Sequence, residues 1–177
     1  IQAYDELANR IADQLDARAF AKQFWGKARL TDQDMRGLIE KMGARILRGP
    51  LNESEVDLFR GVSTTVAASG GDYEAAVKAT VAAMLQSPRF LYLIEYQQED
   101  GSTVDLSRHE LAARISHVVW GSLPDPKLLD ALSDESFDRE TVRRQVRRML
   151  KDPRAVARSH EFLSQWLNLD HVDSLKP

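Results

Sequence analysis

The chain has no cysteine among its 177 residues. That excludes disulfides, thiolate metal sites and haem attached through a C-x-x-C-H motif, and it leaves the redox compartment open. No apolar run approaches the roughly 20 residues that a membrane-spanning helix needs, so no membrane span is expected. Fixed-period repeats and low-complexity tracts are missing too. Neither sign of charge dominates. With 24 Lys and Arg against 27 Asp and Glu, the net charge is −3, which gives no overall pull toward nucleic acid or an acidic membrane. There is no G-x-S-x-G elbow, no H-E-x-x-H pair and no glycine-rich phosphate loop. The text opens on Ile1 without a signal-like segment and stops at Leu175-Lys176-Pro177, so the expectation is a processed or partial product of a longer gene.

What remains is rich in helix grammar. Hydrophobic residues make up 43% and charged residues 29%, ordinary for a soluble globular chain able to bury one sizeable core or two small ones. Tyr4, Leu7, Ala8, Ile11 and Leu15 recur at helical spacing and predict an amphipathic helix over 3–20, with a break after Phe24-Trp25-Gly26. Thr31 is placed to cap a second helix carrying Met35, Leu38, Ile39, Met42 and Ile46, which Gly49-Pro50 ends. Asn52 with Glu55 resembles a capping box before the stripe Val56, Phe59, Val62, Val66. Asp72 starts the helix that carries Tyr73, Ala76, Val77, Val81 and Met84, and Ser87-Pro88 restarts it. The run from Phe90 to Ile94 is ambiguous by propensity, and its helical neighbours favour helix. Ser107 with Glu110 forms a capping box, while Asp125-Pro126 and Asp152-Pro153 repeat the cap-then-Pro device. Helices are predicted at about 107–121, 126–132, 138–151 and 153–168. The fold class is all-α, an array of about eight helices without significant sheet.

Glu99-Asp100-Gly101-Ser102 is the most linker-like segment and sets a boundary, giving a helical region over 1–43, a first domain over 44–99 and a second over 104–177. The second and third of these resemble a pair of helical domains of unknown function found together in large secreted proteins of the planctomycete type, often beside a cytochrome c domain. The first resemblance rests on Arg48-Gly49-Pro50-Leu51, Glu55, and the word from Met84 to Tyr92 with Glu95. The second rests on Leu106-Ser107, Glu110-Leu111-Ala112, Arg114-Ile115-Ser116, the word from Trp120 to Asp125, Leu128-Leu129, Arg148-Met149-Leu150, Asp152-Pro153-Arg154, Phe162, and Gln165-Trp166-Leu167. The resemblance implies a periplasmic or secreted location and an electron-transfer neighbour. It transfers no catalytic residue, no metal ligand and no cofactor, and the cytochrome c signature itself is absent from this chain.

Candidate sites are few. His109 and His117 are eight residues apart on one predicted helix, about 12 Å along its axis at 1.5 Å per residue, too far to share one metal ion at about 2 Å from each nitrogen. His160 and His171 have no second ligand at helical spacing. Ser159-His160-Glu161 holds the residue types of a catalytic triad, but consecutive helical side chains point about 100° apart and cannot line up. Arg143, Arg144, Arg147, Arg148, Lys151, Arg154 and Arg158 make the one dense basic run, opposite a face of Val142, Val146, Met149 and Leu150. Salt bridges or an acidic partner suit that face better than phosphates, since aromatics for base stacking are not interleaved with it. Trp120 falls opposite Leu111, Ile115, Val118 and Val119, beside Ala113 and Ser116. It reads as a core tryptophan under a closely packed helix, with an aromatic anchor for a partner as the alternative. Trp166 and Phe162, four residues apart, read as core.

The expected object is a non-catalytic helical scaffold or docking module without a cofactor of its own. Its partner would be a protein or a neighbouring domain such as a cytochrome c, and no nucleic acid. Its candidate interaction residues are Trp120, Arg143, Arg144, Arg147, Arg148 and Lys151. Two alternatives stay open. One is an enzyme fragment completed by missing segments, with Glu110, His117 and Asp125 as contributors. The other is polyanion binding by the basic face from Arg143 to Arg158.

Overall fold

The computed structural model describes residues 2–27, 31–92, 105–133 and 138–169. Among them are ten α-helices and no strand. They are α1 (Gln2–Asp13), α2 (Ala17–Trp25), α3 (Asp32–Ile46), α4 (Glu53–Ala68), α5 (Tyr73–Leu85), α6 (Pro88–Leu91), α7 (Arg108–Trp120), α8 (Pro126–Ser133), α9 (Arg139–Met149) and α10 (Pro153–Trp166). The chain is all-α, as its periodicity predicts. It divides into two compact units, one up to Ile94 and one from Glu95. The turn-rich boundary read at 99–102 lies outside the described residues, as do Leu93, Ile94 and His171. Position 43/44, where the first family-like segment was read to begin, falls inside α3.

In the first unit α5 is the central helix, touching α1, α2, α3, α4 and α6. Its alanines explain the close approach. The core gathers Leu38, Ile39, Met42, Val56, Phe59, Val77 and Met84, the stripes expected of α3, α4 and α5. The single helix expected over 3–20 is two. Asp16 breaks it, because its carboxylate accepts hydrogen bonds from the backbone N–H groups of Arg18 (3.1 Å) and Ala19 (3.0 Å) and so starts α2 afresh. On α1 the buried positions are Ala8 and Ala12, while Tyr4, Leu7 and Ile11 are exposed.

The ends of α3 and α6 are held by two arginines that exchange places. Arg48, with φ +62°, turns the chain out of α3. Its guanidinium donates to the carbonyls of Arg89 (2.7 Å) and Phe90 (2.8 Å) at α6. Arg89 returns the favour, pairing with both oxygens of Glu55 at 2.7 and 2.8 Å and reaching the carbonyls of Leu47, Gly49 and Pro50 after α3. Glu55 also accepts from the Asn52 N–H, closing the capping box of α4. Helix ends leave orphan carbonyls that must find donors, and here each arginine supplies them to the other's helix. Burial pushes the Arg48 guanidinium below its ordinary pKa.

Trp25 and Asp34 form a second local device. Asp34 accepts from the Trp25 indole N–H (2.9 Å), Lys27 Nζ (2.9 Å), and the Thr31 N–H and hydroxyl (2.9 Å each). The Thr31 N–H above all, then Lys27 and Trp25, hold its carboxyl well below the usual range. The Trp25 ring lies against Gly37, where a Cβ would overlap it.

In the second unit α7 touches α8, α9 and α10. The core is Ala112, Ile115, Trp120, Leu128, Leu132, Met149 and Ala155. Trp120, Ala113 and Ser116 are buried together, so α7 buries the face on which small residues admit a neighbour. On the other side Ile115 is buried and Leu111 and Val119 are half-buried, while Val118 is exposed.

Candidate interaction surface

Trp120 organises the distinctive segments of the second unit. Its ring is 5% exposed, and its indole N–H donates to the Met149 carbonyl at 3.0 Å. Arg154 lies over the ring, its guanidinium carbon 3.5 Å from the centroid, and Arg148 stands at 5.6 Å. Arg148 grips Asp125 with both terminal nitrogens at 2.8 and 2.9 Å, while Asp125 also accepts from the Leu128 N–H to start α8. Burial opposes the charge on Asp125, but Arg148 and the Leu128 N–H overcome it and lower the pKa. Asp152, the cap of α10, is held by Arg154 at about 2. The stretch from Trp120 to Asp125 thus meets the stretch from Arg148 to Arg154, and Trp120, Asp125, Arg148, Asp152 and Arg154 are engaged in packing, capping or pairing. Trp120 is the core tryptophan of the sequence reading. As a buried ring with its N–H satisfied, it presents no surface to a partner.

The other chemistry-bearing residues are likewise engaged or dispersed. Glu110 closes the α7 capping box by accepting from the Ser107 N–H at 2.8 Å. With Asp125 bound to Arg148 and His117 exposed in the last turn of α7, the three residues named for an enzyme fragment serve separate places. His109 and His160 are exposed. The Ser159 hydroxyl donates to the Ala155 carbonyl at 2.8 Å, and Glu161 pairs with Arg158 at 2.7 Å, so Ser159, His160 and Glu161 form no triad. Among the described residues no cluster of three His, Asp or Glu is placed to hold a metal ion, and no helix is long and apolar enough to cross a membrane.

The basic run resolves into separate roles. Arg148, Arg154 and Arg158 are tied to Asp125, Asp152 and Glu161. Arg143 lies 3.6 Å and Arg147 4.0 Å from Glu140, and Arg144 donates to the Thr141 hydroxyl at 3.1 Å. Arg144, Arg147, Arg148 and Lys151 with Glu140 line an open cleft of about 430 Å³ along α9. Spacings of three and four residues put these side chains on one face of the helix.

α10 departs from the sequence reading. Phe162 and Trp166 are not core. They are 58% and 71% exposed, with their rings stacked on each other at 6.1 Å. Val156, Leu163 and Leu167 beside them are exposed, as is Leu150, which was read as part of the buried face of α9. At 100° per residue Ala155, Phe162 and Trp166 share one side of α10. Only the first turn, at Ala155, is buried in the unit. The helix keeps an amphipathic face, and beyond Ala155 none of its described residues is buried. Leu150, Ala155, Val156, Ser159, His160 and Leu163 line a shallow groove of about 210 Å³ at its start. Amphipathic spacing identifies which face is apolar, and this is why it signalled core here.

Residues 34–95 match the family model described as PSD5, protein of unknown function (DUF1595), and residues 106–177 match PSD4, protein of unknown function (DUF1592). The chain carries two family domains of unknown function. The reciprocal arginines of α3 and α6 lie within the first, and the Trp120 assembly and α10 within the second. Comparison with curated proteins and with solved structures gives no match.

Proposed function

We propose that this chain is a non-catalytic helical docking module whose contact surface is the uncovered apolar face of α10. The observation that carries the reading is the run of exposed large apolar side chains, Val156, Phe162, Leu163, Trp166 and Leu167, on one helix. Monomeric soluble proteins rarely expose contiguous apolar patches of more than a few hundred Å², and larger ones mark places where another surface docks. The engagement of Glu110, Asp125, Asp152 and Glu161 in caps and ion pairs supports the non-catalytic part of the proposal. The resemblance to secreted proteins with a cytochrome c domain supports a periplasmic or secreted setting beside an electron-transfer domain, with any cofactor held by that neighbour.

The test is site-specific photo-crosslinking in the native host. A benzophenone side chain replaces Phe162 in one variant and Leu58, an exposed residue of the first unit, in the other. Discrete protein adducts at 162 and none at 58 are expected. No adduct at 162, or the same adducts at both, would remove the docking reading. A stoichiometric haem or metal in the purified chain would remove the cofactor-free part of the proposal.

A further inference from the structure

We infer that the surface formed by α9 and the start of α10 receives an acidic amphipathic helix from a partner protein. The inference rests on the docking reading above and names the chemistry of the occupant. Two features of the second unit adjoin in sequence and differ in character. The groove of Leu150, Ala155, Val156, Ser159, His160 and Leu163 is apolar at its walls. The cleft of Glu140, Arg144, Arg147, Arg148 and Lys151 is cationic. Leu150 keeps helical backbone angles at the end of α9 and, at 100° per residue, lies about 60° around the axis from Arg147, so the apolar groove adjoins the basic cleft.

Among the described residues the cleft holds four cations and one carboxylate. Arg148 is committed to Asp125 and Glu140 sits at one end. Arg144, Arg147 and Lys151 remain as exposed cations against that single carboxylate. Arg144 and Arg147 on α9 and Lys151 in the turn after it span about 10 Å at 1.5 Å per residue, about two turns of an opposing helix. An apolar groove bordered by such a row suits a helix with leucine-like side chains on one face and carboxylates beside them, the helix-in-groove mode of recognition. Opposite charge sets register and speeds encounter, while burial of the apolar face holds the complex. A nucleic acid or another phosphate polymer would use the cations and leave the groove empty. The apolar groove beside the cations favours the peptide.

The experiment measures fluorescence anisotropy of a labelled helical peptide of about 20 residues, long enough to hold its helix, with leucine at i, i+3, i+4 and i+7 and glutamate elsewhere. Control peptides carry lysine in place of glutamate, or serine in place of leucine. The protein is used whole, as wild type, Leu163→Ser and Arg147→Glu/Lys151→Glu, with circular dichroism showing each folded. The glutamate–leucine peptide is expected to bind the wild type and to lose about tenfold or more in affinity, equivalent to 1.4 kcal/mol or more, in each variant. The lysine peptide is expected to prefer the charge-reversed variant. Equal binding of glutamate and lysine peptides would overturn the acidic occupant while leaving docking at α10 standing. Binding of DNA or heparin that Leu163→Ser leaves unchanged, without peptide binding, would reassign the surface to polyanions. Self-association abolished by Leu163→Ser, again without peptide binding, would make the occupant a second copy. Silence in these assays together with no photo-adduct at Phe162 would remove both readings.

Discussion

Replacing Arg89 by Met should unlatch α3 from α6. The methionine keeps most of the aliphatic stem and deletes the guanidinium. Arg89 makes two charge-assisted contacts to Glu55 at 2.7 and 2.8 Å, with the two side chains 25% and 23% exposed. It also makes longer contacts, at 3.3 to 3.4 Å, to the carbonyls of Leu47, Gly49 and Pro50. Hydrogen bonds to charged groups contribute about 1.5–3 kcal/mol, whereas exposed ion pairs contribute at most about 1. This pair is mostly sheltered, and the long carbonyl contacts add little, so the expected loss is about 2 kcal/mol. A unit of 60–100 residues shifts its melting midpoint by about 4–8 °C per kcal/mol, which predicts a fall of about 8–16 °C. Glu55→Gln removes the same pair and weakens the α4 capping box as well. A double-mutant cycle read by thermal circular dichroism should give a coupling above about 1 kcal/mol between the two sites. Amide exchange should localise the loss to α3, α4 and α6, with α7 to α10 unchanged. Coupling below about 0.3 kcal/mol, or equal loss of protection in both units, would refute the reciprocal-cap account.

Four further outcomes are expected. Trp120→Phe removes the indole donor to the Met149 carbonyl, which keeps the Asp152 N–H at 3.1 Å, and should destabilise the second unit by about 0.5–1.5 kcal/mol in urea unfolding; no change would mean that the bond contributes nothing. Trp166→Ser, by contrast, should shift stability by less than about 0.5 kcal/mol, since the ring is exposed, and a loss above 2 would restore it to the core. Gly37→Ala should cost about 1–3 kcal/mol through overlap with Trp25, read as a lower urea midpoint and a red-shifted tryptophan emission. The Asp152 carboxyl is depressed from 3.8 to about 2, so its stabilising effect is present above pH 4 and disappears as the pH falls toward 2. In Asp152→Asn that part of the acid unfolding curve should flatten, and an unaltered curve would contradict the assignment.

The legibility of this chain follows the range of the interactions involved. Caps are local: a hydroxyl or carboxylate at the first position binds an N–H two or three residues on, so Thr31, Asn52, Asp72, Ser107 and Asp152 were readable as starts. Asp16 does the same, but Leu15 continued the helical stripe across it, and the break in 3–20 passed unseen. The Asp34 hub was equally hidden, because Trp25 and Lys27 approach it around a turn and no periodicity records that. The candidate site was only partly legible. Arg144, Arg147 and Lys151 stood out as a basic face, yet nothing local separated Arg148 from them, because its partner Asp125 is 23 residues away and reaches it only through the packing of the unit. Arg154 and Arg158, by contrast, pair with Asp152 and Glu161 close by in sequence. Trp120 could be placed in the core because Ala113 and Ser116 lie on its side of α7.

The all-α class, most helix starts and the apolar face of each helix are legible one segment at a time, because capping and the 3.6-residue period are local properties. Which apolar faces find a partner depends on how the helices pack. Tyr4, Leu7 and Ile11 lost theirs to Ala8 and Ala12, because small residues let α1 approach α5 closely. Phe162 and Trp166 lie on the packed side of α10 but past its last packed turn. A helix specifies which side must avoid water, and only its neighbours determine how far along its length that side is covered.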